Sequence, residues 1–276
     1  MKEVEKLVTL VLVSHRSSNK IIKILKSLKN FKNIIIIENS KNKSLKYIKK
    51  NKKIRLFFTN NNGYGAAINY ASKFVKTKFF LAMNPDIKNI NDRLIKNIFK
   101  ESNKIKDNFL CTGPRFLGVS NKSHKQSDIQ KKISKIFAIS GACMFFNKKN
   151  FDQLNGFDEK FFLFFEENDI CLRGNKLGLY SYQINNVKIN HETASSVEIK
   201  NEKEKKKYEK LRDINFLKSK IYFYKKHYGV ISTLVYFVAL LIRIKLKNMI
   251  FLTRNNVNYK KNKLRISLIS SNLFKA

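Results

Sequence analysis

Short apolar runs alternate with amphipathic segments along the first hundred residues of the chain. Residues 7–13 form a near-continuous apolar run that is rich in β-branched side chains, which is typical of a strand buried on both faces. Further strands are predicted at residues 34–37, 54–58 and 79–83, which are short and mostly apolar. Helices are predicted between them, from a cap at Ser18 or Asn19 to about residue 30 and again over residues 64–76. This alternation predicts βαβ units, an α/β fold and a mainly parallel sheet.

The pattern of the next hundred residues is less regular. The elements that it predicts are a helix over 91–103, a short strand at 109–112, a polar loop over 118–135, a strand region over 136–146 that Gly141 interrupts, mixed turn and short strand over 151–165, a helix over 166–177 and a strand over 180–189. His191 follows just beyond the last strand. The sheet is therefore expected to be mixed, with helices on its faces.

The composition changes after about residue 198. Residues 201–210 are a charge run, and apolar and aromatic residues then follow at helical spacing over 211–228. Residues 230–242 carry no charge, and Arg243, Lys245 and Lys247 come directly after them. Thirteen residues are short of the ~20 that span a bilayer, so the pattern favours an interfacial helix on an anionic membrane surface. The alternative is a C-terminal core helix. We therefore expect one domain over 1–200 and a helical extension over 201–276.

The chain of 276 residues is strongly basic, with a formal net charge of +37. Its lysines are spread along the whole length, so attraction to phosphorylated ligands or to an anionic membrane is favoured over a nucleic-acid interface. The charged start followed by a short apolar run does not resemble a signal peptide. Three scattered cysteines fit buried thiols in a reducing cytosol.

Polar side chains follow the first four predicted strands, where parallel sheets collect their ligands. Glu38 can accept a hydrogen bond from a pyrimidine N–H or a ribose hydroxyl. Gly63 and Gly65 lie at a strand-to-helix junction, where the backbone and the helix N-terminus favour phosphate. The surrounding residues match neither a dinucleotide-binding glycine motif nor a P-loop. Asp86 follows an apolar strand and can hold a divalent cation that bridges donor phosphates.

An acidic stretch at residues 158–169 stands out in this basic chain. Asp169 and Arg173 are four residues apart on a predicted helix, which predicts a structural ion pair. Glu166 and Glu167 remain as candidates for chemistry, because neighbouring aromatic side chains would raise the pKa of a carboxyl towards values that suit a general base. His191 is a candidate metal ligand together with Asp86.

Taken together, these motifs resemble the family 2 glycosyltransferases of the GT-A fold, in particular the rhamnosyltransferase-like branch. The resemblance covers about residues 7–228. The matching residues, in chain order, are Glu38-Asn39, Asn61, Gly63, Tyr64, Gly65 and Asn69, Met83-Asn84-Pro85-Asp86, Ser140-Gly141-Ala142, Gly156-Phe157-Asp158-Glu159 with Phe161-Phe162, Glu166-Glu167 with Asp169-Ile170-Cys171 and Arg173, and His191 with Ser195. Each of these seven motifs is modest alone, but their common order is specific.

The resemblance implies an inverting transfer of sugar from a nucleotide-sugar donor. It implies Glu167 as the general base, and Asp86 with His191 as ligands of a divalent metal, Mn²⁺ or Mg²⁺. The residues that it implies for the nucleotide sugar are Ser14, His15, Arg16, Glu38, Asn61, Gly63, Tyr64, Asn69, Asn84 and Asp86. Those implied for the acceptor are Gly141, Asp158, Glu159 and Glu166. Rhamnose from dTDP-rhamnose, passed to a glycan or lipid-linked acceptor at the cytoplasmic face of the cell membrane, is the expected reaction.

Three departures from the family pattern affect these expectations. His15 stands where members carry Tyr, and Glu38 and Glu167 stand where many carry Asp. Base recognition and acceptor placement are therefore open, and UDP-hexose or UDP-galactofuranose are alternative donors. A nucleotidyltransferase would need a glycine-rich basic loop after the first strand, and residues 14–19 have one Arg and no Gly. A basic nucleic-acid-binding module and an inactive homologue that serves as a scaffold are the remaining alternatives.

Overall fold

The computed structural model describes residues 4–40, 42–106, 108–118, 131–192, 196–250 and 257–273. The chain divides into two compact units. The first consists of residues 1–160 and 166–198, and the second of residues 161–165 and 199–276. The expected division, 1–200 and 201–276, differs from this chiefly in the short segment 161–165.

The first unit is built on a sheet of nine strands in the described residues. The strands are β1 (Val8–Ser14), β2 (Ile34–Glu38), β3 (Ile54–Phe58), β4 (Phe79–Met83), β5 (Ile87–Lys88), β6 (Phe109–Leu117), β7 (Ile133–Ile136), β8 (Cys143–Asn147) and β9 (Tyr180–His191). Their order is β3-β2-β1-β4-β8-β6-β9-β5, and β7 pairs with β9. Strands β3, β2, β1 and β4 are parallel to one another, whereas β8 is antiparallel to both β4 and β6. The predicted α/β fold with a mixed sheet is confirmed; four of its eight strand pairs are parallel and four are antiparallel.

Helices flank this sheet. They are α1 (Val4–Leu7), α2 (Ser18–Ser27), α3 (Tyr64–Ser72), α4 (Asp92–Ser102), α5 (Lys148–Gln153) and α6 (Glu166–Lys176), with a short 3-10 helix at Lys46–Lys50. Successive residues of β1 contribute to cores on opposite faces: Leu10 and Leu12 belong to one cluster, Val11 and Val13 to the other. Both faces are covered, which explains why the strands read as continuous apolar runs.

Some predictions for residues 109–191 were wrong in their boundaries. Strand β6 continues to Leu117 because it pairs with β9 over that length. Strand β7 (Ile133–Ile136) begins inside the predicted polar loop, since Ile133 pairs with Ile184 of β9; residues 119–130 of that loop lie outside the described residues. His191 is the last residue of β9 rather than a residue beyond it, because it pairs with Ile87 of β5. These extensions depend on partners that are distant in sequence.

The second unit is helical, and the predicted C-terminal extension is confirmed. Helix α7 runs over Glu202–Ile250 with a break at Gly229, whose φ of 81° is not helical, and helix α8 covers Val257–Leu273. The unit has its own apolar core, to which α7 contributes Phe237 and Ile244 and α8 contributes Ile269. By length and composition alone, one helix in the described part of the chain could cross a membrane.

Candidate active site

The carboxyl ends of β1 and β2 meet at a buried carboxylate. Ser14 and Glu38 are paired in the sheet register, and the Ser14 hydroxyl donates to Glu38 Oε2 at 2.5 Å. The backbone N–H and hydroxyl of Ser40 donate to Glu38 Oε1 at 2.9 and 2.5 Å. Glu38 is therefore held in one orientation by the turn that follows its own strand.

A second group of side chains joins the ends of the first three strands. His15 Nδ1 lies 2.9 Å from Asn39 Oδ1, and the amide of Asn39 donates to Asn61 Oδ1 at 3.3 Å. The backbone N–H of Gly63 donates to the same Asn61 oxygen at 3.3 Å. Arg16 has a positive φ of 53°, and its carbonyl accepts from the N–H of Glu198. The structure thus brings His15, Asn61 and Gly63 together at one edge of the sheet.

Asp86 is the centre of a compact cluster after β4. His191 Nε2 lies 3.1 Å from Asp86 Oδ1, and the Ser196 hydroxyl donates to Asp86 Oδ2 at 2.6 Å. The N–H of Glu192 also donates to the Asp86 carbonyl. Burial would raise the pKa of the Asp86 carboxyl, but the hydrogen bonds and charge supplied by His191 and Ser196 bring it below its ordinary value. Asp86 is consequently an anion held between an imidazole and a hydroxyl.

A fourth group lies around Gly141, whose lack of a side chain leaves the backbone close to two glutamates. A Cβ built on Gly141 would lie 3.9 Å from Glu166 Oε1 and 3.9 Å from Glu167 Cδ. The Tyr64 hydroxyl donates to the Gly141 carbonyl at 2.8 Å. Burial raises the pKa of Tyr64 well above its ordinary value, and the charges of Glu166, Glu167 and Asp86 act in the same direction. Tyr64 therefore stays protonated, and its electrostatic neighbours include both the Asp86 cluster and the glutamates.

Most of these side chains lie in a part of the chain that matches a protein family. Residues 9–167, more than half of the chain, match the family described as glycosyl transferase family 2. The chain belongs to glycosyl transferase family 2. The matched range begins in β1 and ends at Glu167, so it includes every residue of the four groups except His191, Glu192, Ser196 and Glu198. No curated protein sequence matches the chain.

Solved structures with the same fold are glycosyltransferases at low sequence identity. A mannosyltransferase from Pyrobaculum calidifontis, in complex with GDP-Man and Mn²⁺, has a TM-score of 0.62 and 10% identity, over 97% of this chain and 87% of that one. Residues 1–349 of S. aureus TarS, in complex with UDP-GlcNAc, give 0.54 and 14% over 75% and 66%. GalNAc-T7 with UDP, GalNAc and Mn²⁺ gives 0.54 and 14% over 77% and 46%. The predicted GT-A architecture is confirmed, and the chain is a glycosyltransferase.

The loop that precedes helix α6 of this glycosyltransferase is held by Asn69. The Asn69 amide group donates to the Phe157 carbonyl at 2.8 Å and to Glu159 Oε1 at 3.0 Å, and its oxygen accepts from the Phe157 N–H at 2.9 Å. Gly156 has a φ of 66°, and a Cβ there would lie 2.4 Å from the Asn69 oxygen. Asn69 therefore positions the loop that carries Asp158 and Glu159. Asp158 accepts from the N–H of Lys160.

The predicted pair on α6 is confirmed. Arg173 Nε donates to Asp169 Oδ2 at 2.8 Å, and the other guanidinium nitrogens donate to the carbonyls of Leu154 and Gly156 at 2.6 and 2.7 Å. These bonds tie α6 to the loop that Asn69 holds. Phe164 and Phe165, directly before Glu166, have positive φ values of 70° and 69°, a conformation that bulky residues seldom adopt.

Asn84 takes part in the site through its backbone. Its N–H donates to the carbonyl of Ala142 at 2.9 Å.

Two residues of this site were not predicted from the sequence. Asn39 follows Glu38 in the same motif, and its buried amide links His15 to Asn61. Ser196 binds Asp86, whereas the family pattern pointed to Ser195, which lies outside the described residues. Both Asn39 and Ser196 are polar residues within a few positions of a motif, and this proximity is the sequence signal that points to them.

The side chains of Asp86 and His191 suit a divalent metal. Asp86 supplies a carboxylate oxygen and His191 an imidazole nitrogen, and their atoms converge to 3.1 Å. No cluster of three or more His, Cys, Asp or Glu side chains that could hold a metal was found in the described residues. Mg²⁺ and Mn²⁺ commonly bind through one or two protein ligands with water and substrate phosphates. Two protein ligands therefore fit a metal that arrives with a diphosphate.

Proposed function

We propose that this glycosyltransferase transfers a sugar with inversion from a nucleotide-sugar donor to a glycan or lipid-linked acceptor in cell-surface polysaccharide synthesis. The observation that carries the proposal is the convergence of two kinds of group on one edge of the sheet. The Asp86–His191 pair suits a metal and a diphosphate, and the glutamates beside Gly141 suit proton transfer. The N–H of Asn84, two residues before Asp86, donates to the carbonyl of Ala142, next to Gly141, at 2.9 Å and so joins the two groups.

The donor would bind at the ends of β1, β2 and β4. Glu38 and the linked side chains of His15 and Asn61 would contact the nucleoside, and Asp86 with His191 would hold the metal. Ser14, Arg16, Gly63, Tyr64 and Asn84 complete this proposed donor site. Asn69, which the resemblance also implied for the donor, instead positions the loop that carries Asp158 and Glu159. When bound, the metal would neutralise charge on the departing diphosphate.

The acceptor would enter beside Gly141. Glu166 is buried, whereas Glu167 is partly exposed although its Oε2 is buried, which favours Glu167 for contact with an acceptor hydroxyl. Glu167 takes the proton of that hydroxyl while the oxygen attacks the anomeric carbon and the nucleoside diphosphate leaves from the opposite face. Glu166, Asp158 and Glu159 would shape the acceptor site. The hydroxyl of Tyr64, which donates to the Gly141 carbonyl, holds the backbone of Gly141 in place.

The second unit supports attachment to the inner face of the cell membrane. Beyond Gly229, α7 exposes six apolar side chains that follow one another at intervals of three or four residues, which places them on one face: Ile231, Val235, Val238, Ile242, Leu246 and Met249. Ile231 is 79% exposed and Met249 68%. Phe237 and Ile244, on the opposite face, are buried in the core of the unit. We call the six exposed side chains the apolar stripe. An exposed stripe of this kind suits a helix that lies in the membrane interface.

A donor screen tests the proposed function. Purified protein would be incubated with Mn²⁺ and with dTDP-rhamnose, UDP-hexoses, UDP-galactofuranose, UDP-GlcNAc and GDP-mannose, and release of the nucleoside diphosphate would be measured. We expect one donor to be hydrolysed at least tenfold faster than the others, with dTDP-rhamnose the first candidate. Hydrolysis of none, in the presence of Mn²⁺ or Mg²⁺, would contradict the assignment of these donors. A Glu167→Gln protein is the control for contaminating hydrolases.

A further inference from the structure

The C-terminal unit contains a groove that the catalytic site does not use. It has a volume of about 310 Å³ and is formed by both halves of α7 together with α8. Four cationic side chains line it, Lys220, Arg243, Lys247 and Arg265. Its apolar lining includes Leu217, Leu240, Ile244 and Ile269. Pockets of this size bind small ligands, and this one combines an apolar wall with concentrated positive charge.

The charge of the groove is poorly balanced by the protein itself. Among the described residues that line it, Asp213 is the one carboxylate, and its Oδ2 pairs with Lys261 Nζ at 3.0 Å. The sequence contains no Asp or Glu from residue 214 to residue 276. Two of the four cations are arginines, whose planar donors suit phosphate oxygens. The groove is therefore complementary to a compact anion.

The position of the groove favours an anion attached to a lipid. Arg243 and Lys247 directly follow Ile242 and Leu246 of the apolar stripe, so the cations border the face that would enter a bilayer. Ile244 and Ile269, buried at the groove, offer an apolar surface next to the charge. A ligand with a phosphate head and an apolar tail meets both requirements, whereas a free phosphate would leave the apolar wall uncovered.

We propose that this groove binds the phosphate head of a membrane lipid, with Arg243 and Arg265 as its main ligands. The proposal rests on the membrane attachment included in the proposed function and adds to it a site with a preference for one headgroup. Basic pockets between helices at a membrane surface bind anionic headgroups in this way. A phosphomonoester head, with more charge and more free oxygens than a diester, would bind best.

The test is binding to vesicles of matched surface charge. Vesicles of phosphatidylcholine would carry either phosphatidic acid, which has a phosphomonoester head, or enough phosphatidylglycerol, which has a diester head, to give the same measured zeta potential. We expect the full-length protein to bind the phosphatidic acid vesicles about tenfold more tightly, since extra charge-assisted hydrogen bonds contribute on that order. Equal binding to both kinds of vesicle would contradict the proposed headgroup site in the groove but would not contradict membrane attachment.

Two double variants separate the groove from general charge. Arg243→Gln with Arg265→Gln removes two cations from the groove, and Lys245→Gln with Lys263→Gln removes two exposed cations from the same helices outside it. Each lost cation should weaken binding to any anionic vesicle about fivefold. The tenfold preference for phosphatidic acid should vanish in the first variant and persist in the second. Loss of the preference in both, or in neither, would contradict the assignment.

Two controls keep the outcomes distinct. Inorganic phosphate at millimolar concentration should not displace the protein from phosphatidic acid vesicles, and full displacement would show a site for free anions instead. Donor hydrolysis without lipid should be unchanged in both variants, whose circular dichroism melting curves should match that of the native protein. Failure to bind any vesicle would overturn both the membrane attachment and the groove, but it would leave the donor screen as an independent test of the enzyme.

Discussion

Two buried aspartates of the first unit have different partners. Asp169 pairs with Arg173, a permanently charged partner that also binds two backbone carbonyls. Asp86 pairs with the His191 imidazole and the Ser196 hydroxyl, both of which can exchange a protein partner for a metal or a substrate. Burial and an ion pair are common to both aspartates, so what distinguishes Asp86 in the proposed function is that its partners can be replaced.

The largest effect is expected from Asp86→Ala. Loss of the carboxylate removes the proposed metal site, and metal stabilisation of a departing diphosphate amounts to several kcal/mol, so transfer should fall by about 10³-fold or more. Initial rates at varied Mn²⁺ would measure this. The matched control is Ser196→Ala, which keeps both proposed ligands and should weaken metal affinity by about 10-fold to 100-fold. Native rates in Asp86→Ala would contradict the metal assignment.

The next effect is expected from Glu167→Gln. An amide cannot accept the acceptor proton, so kcat should fall by about 10²-fold to 10⁴-fold while donor affinity stays unchanged. Steady-state rates and donor titrations would separate the two quantities. Asp169→Asn is the control, because Asp169 is bound to Arg173 in the structure. If Asp169→Asn lost transfer with full stability and Glu167→Gln did not, the general base would be two residues away from the proposed one.

Asp169→Asn should instead lower stability. Loss of the charge leaves Arg173 without its carboxylate in a partly buried place, and breaking such pairs lowers the free energy of unfolding by about 3 kcal/mol. Urea unfolding followed by circular dichroism would measure it. An unchanged midpoint would show that Asp169 does not have the fixed structural role that separates it from Asp86.

A smaller effect is expected from Gly156→Ala, which tests the loop that Arg173 and Asn69 hold. Its positive φ disfavours a side chain by about 1–2 kcal/mol, and the new Cβ would also meet the Asn69 oxygen. Gly178→Ala is the matched control, with a φ of 72° and no atom within 4 Å of a Cβ. Unfolding midpoints and KM for the acceptor would be compared, and Gly156→Ala should be the more damaging in both. Equal effects would show that the contact with Asn69 carries no weight.

The sequence predicted the central sheet well because its strands are locally determined. Residues 54–58 and 79–83 are apolar runs bounded by turn residues, and the strands Ile54–Phe58 and Phe79–Met83 have those limits. The pair Asp169–Arg173 could also be predicted, because its spacing alone brings the side chains together on a helix. Strand β7 could not, since residues 133–136 form a strand only by pairing with β9.

The site was predictable in its motifs but not in its contacts. Asp86 and His191 were expected as a pair, and the structure places them 3.1 Å apart although 105 residues separate them in the sequence. Asn69 was expected at the donor, yet its amide holds the loop at Phe157, a contact that depends on the left-handed turn at Gly156. Side-chain roles of this kind are set by tertiary packing, which a pattern of residues does not contain.

The most direct measurement is calorimetric binding of the donor's nucleoside diphosphate, with and without Mn²⁺, to the native, Asp86→Ala and Glu167→Gln proteins. The account predicts Mn²⁺-dependent binding of equal affinity in the native and Glu167→Gln proteins and no effect of Mn²⁺ in Asp86→Ala. Mn²⁺-dependent binding that survives in Asp86→Ala, or that disappears in Glu167→Gln, would contradict the division of this site into a metal-and-donor side and a proton-transfer side.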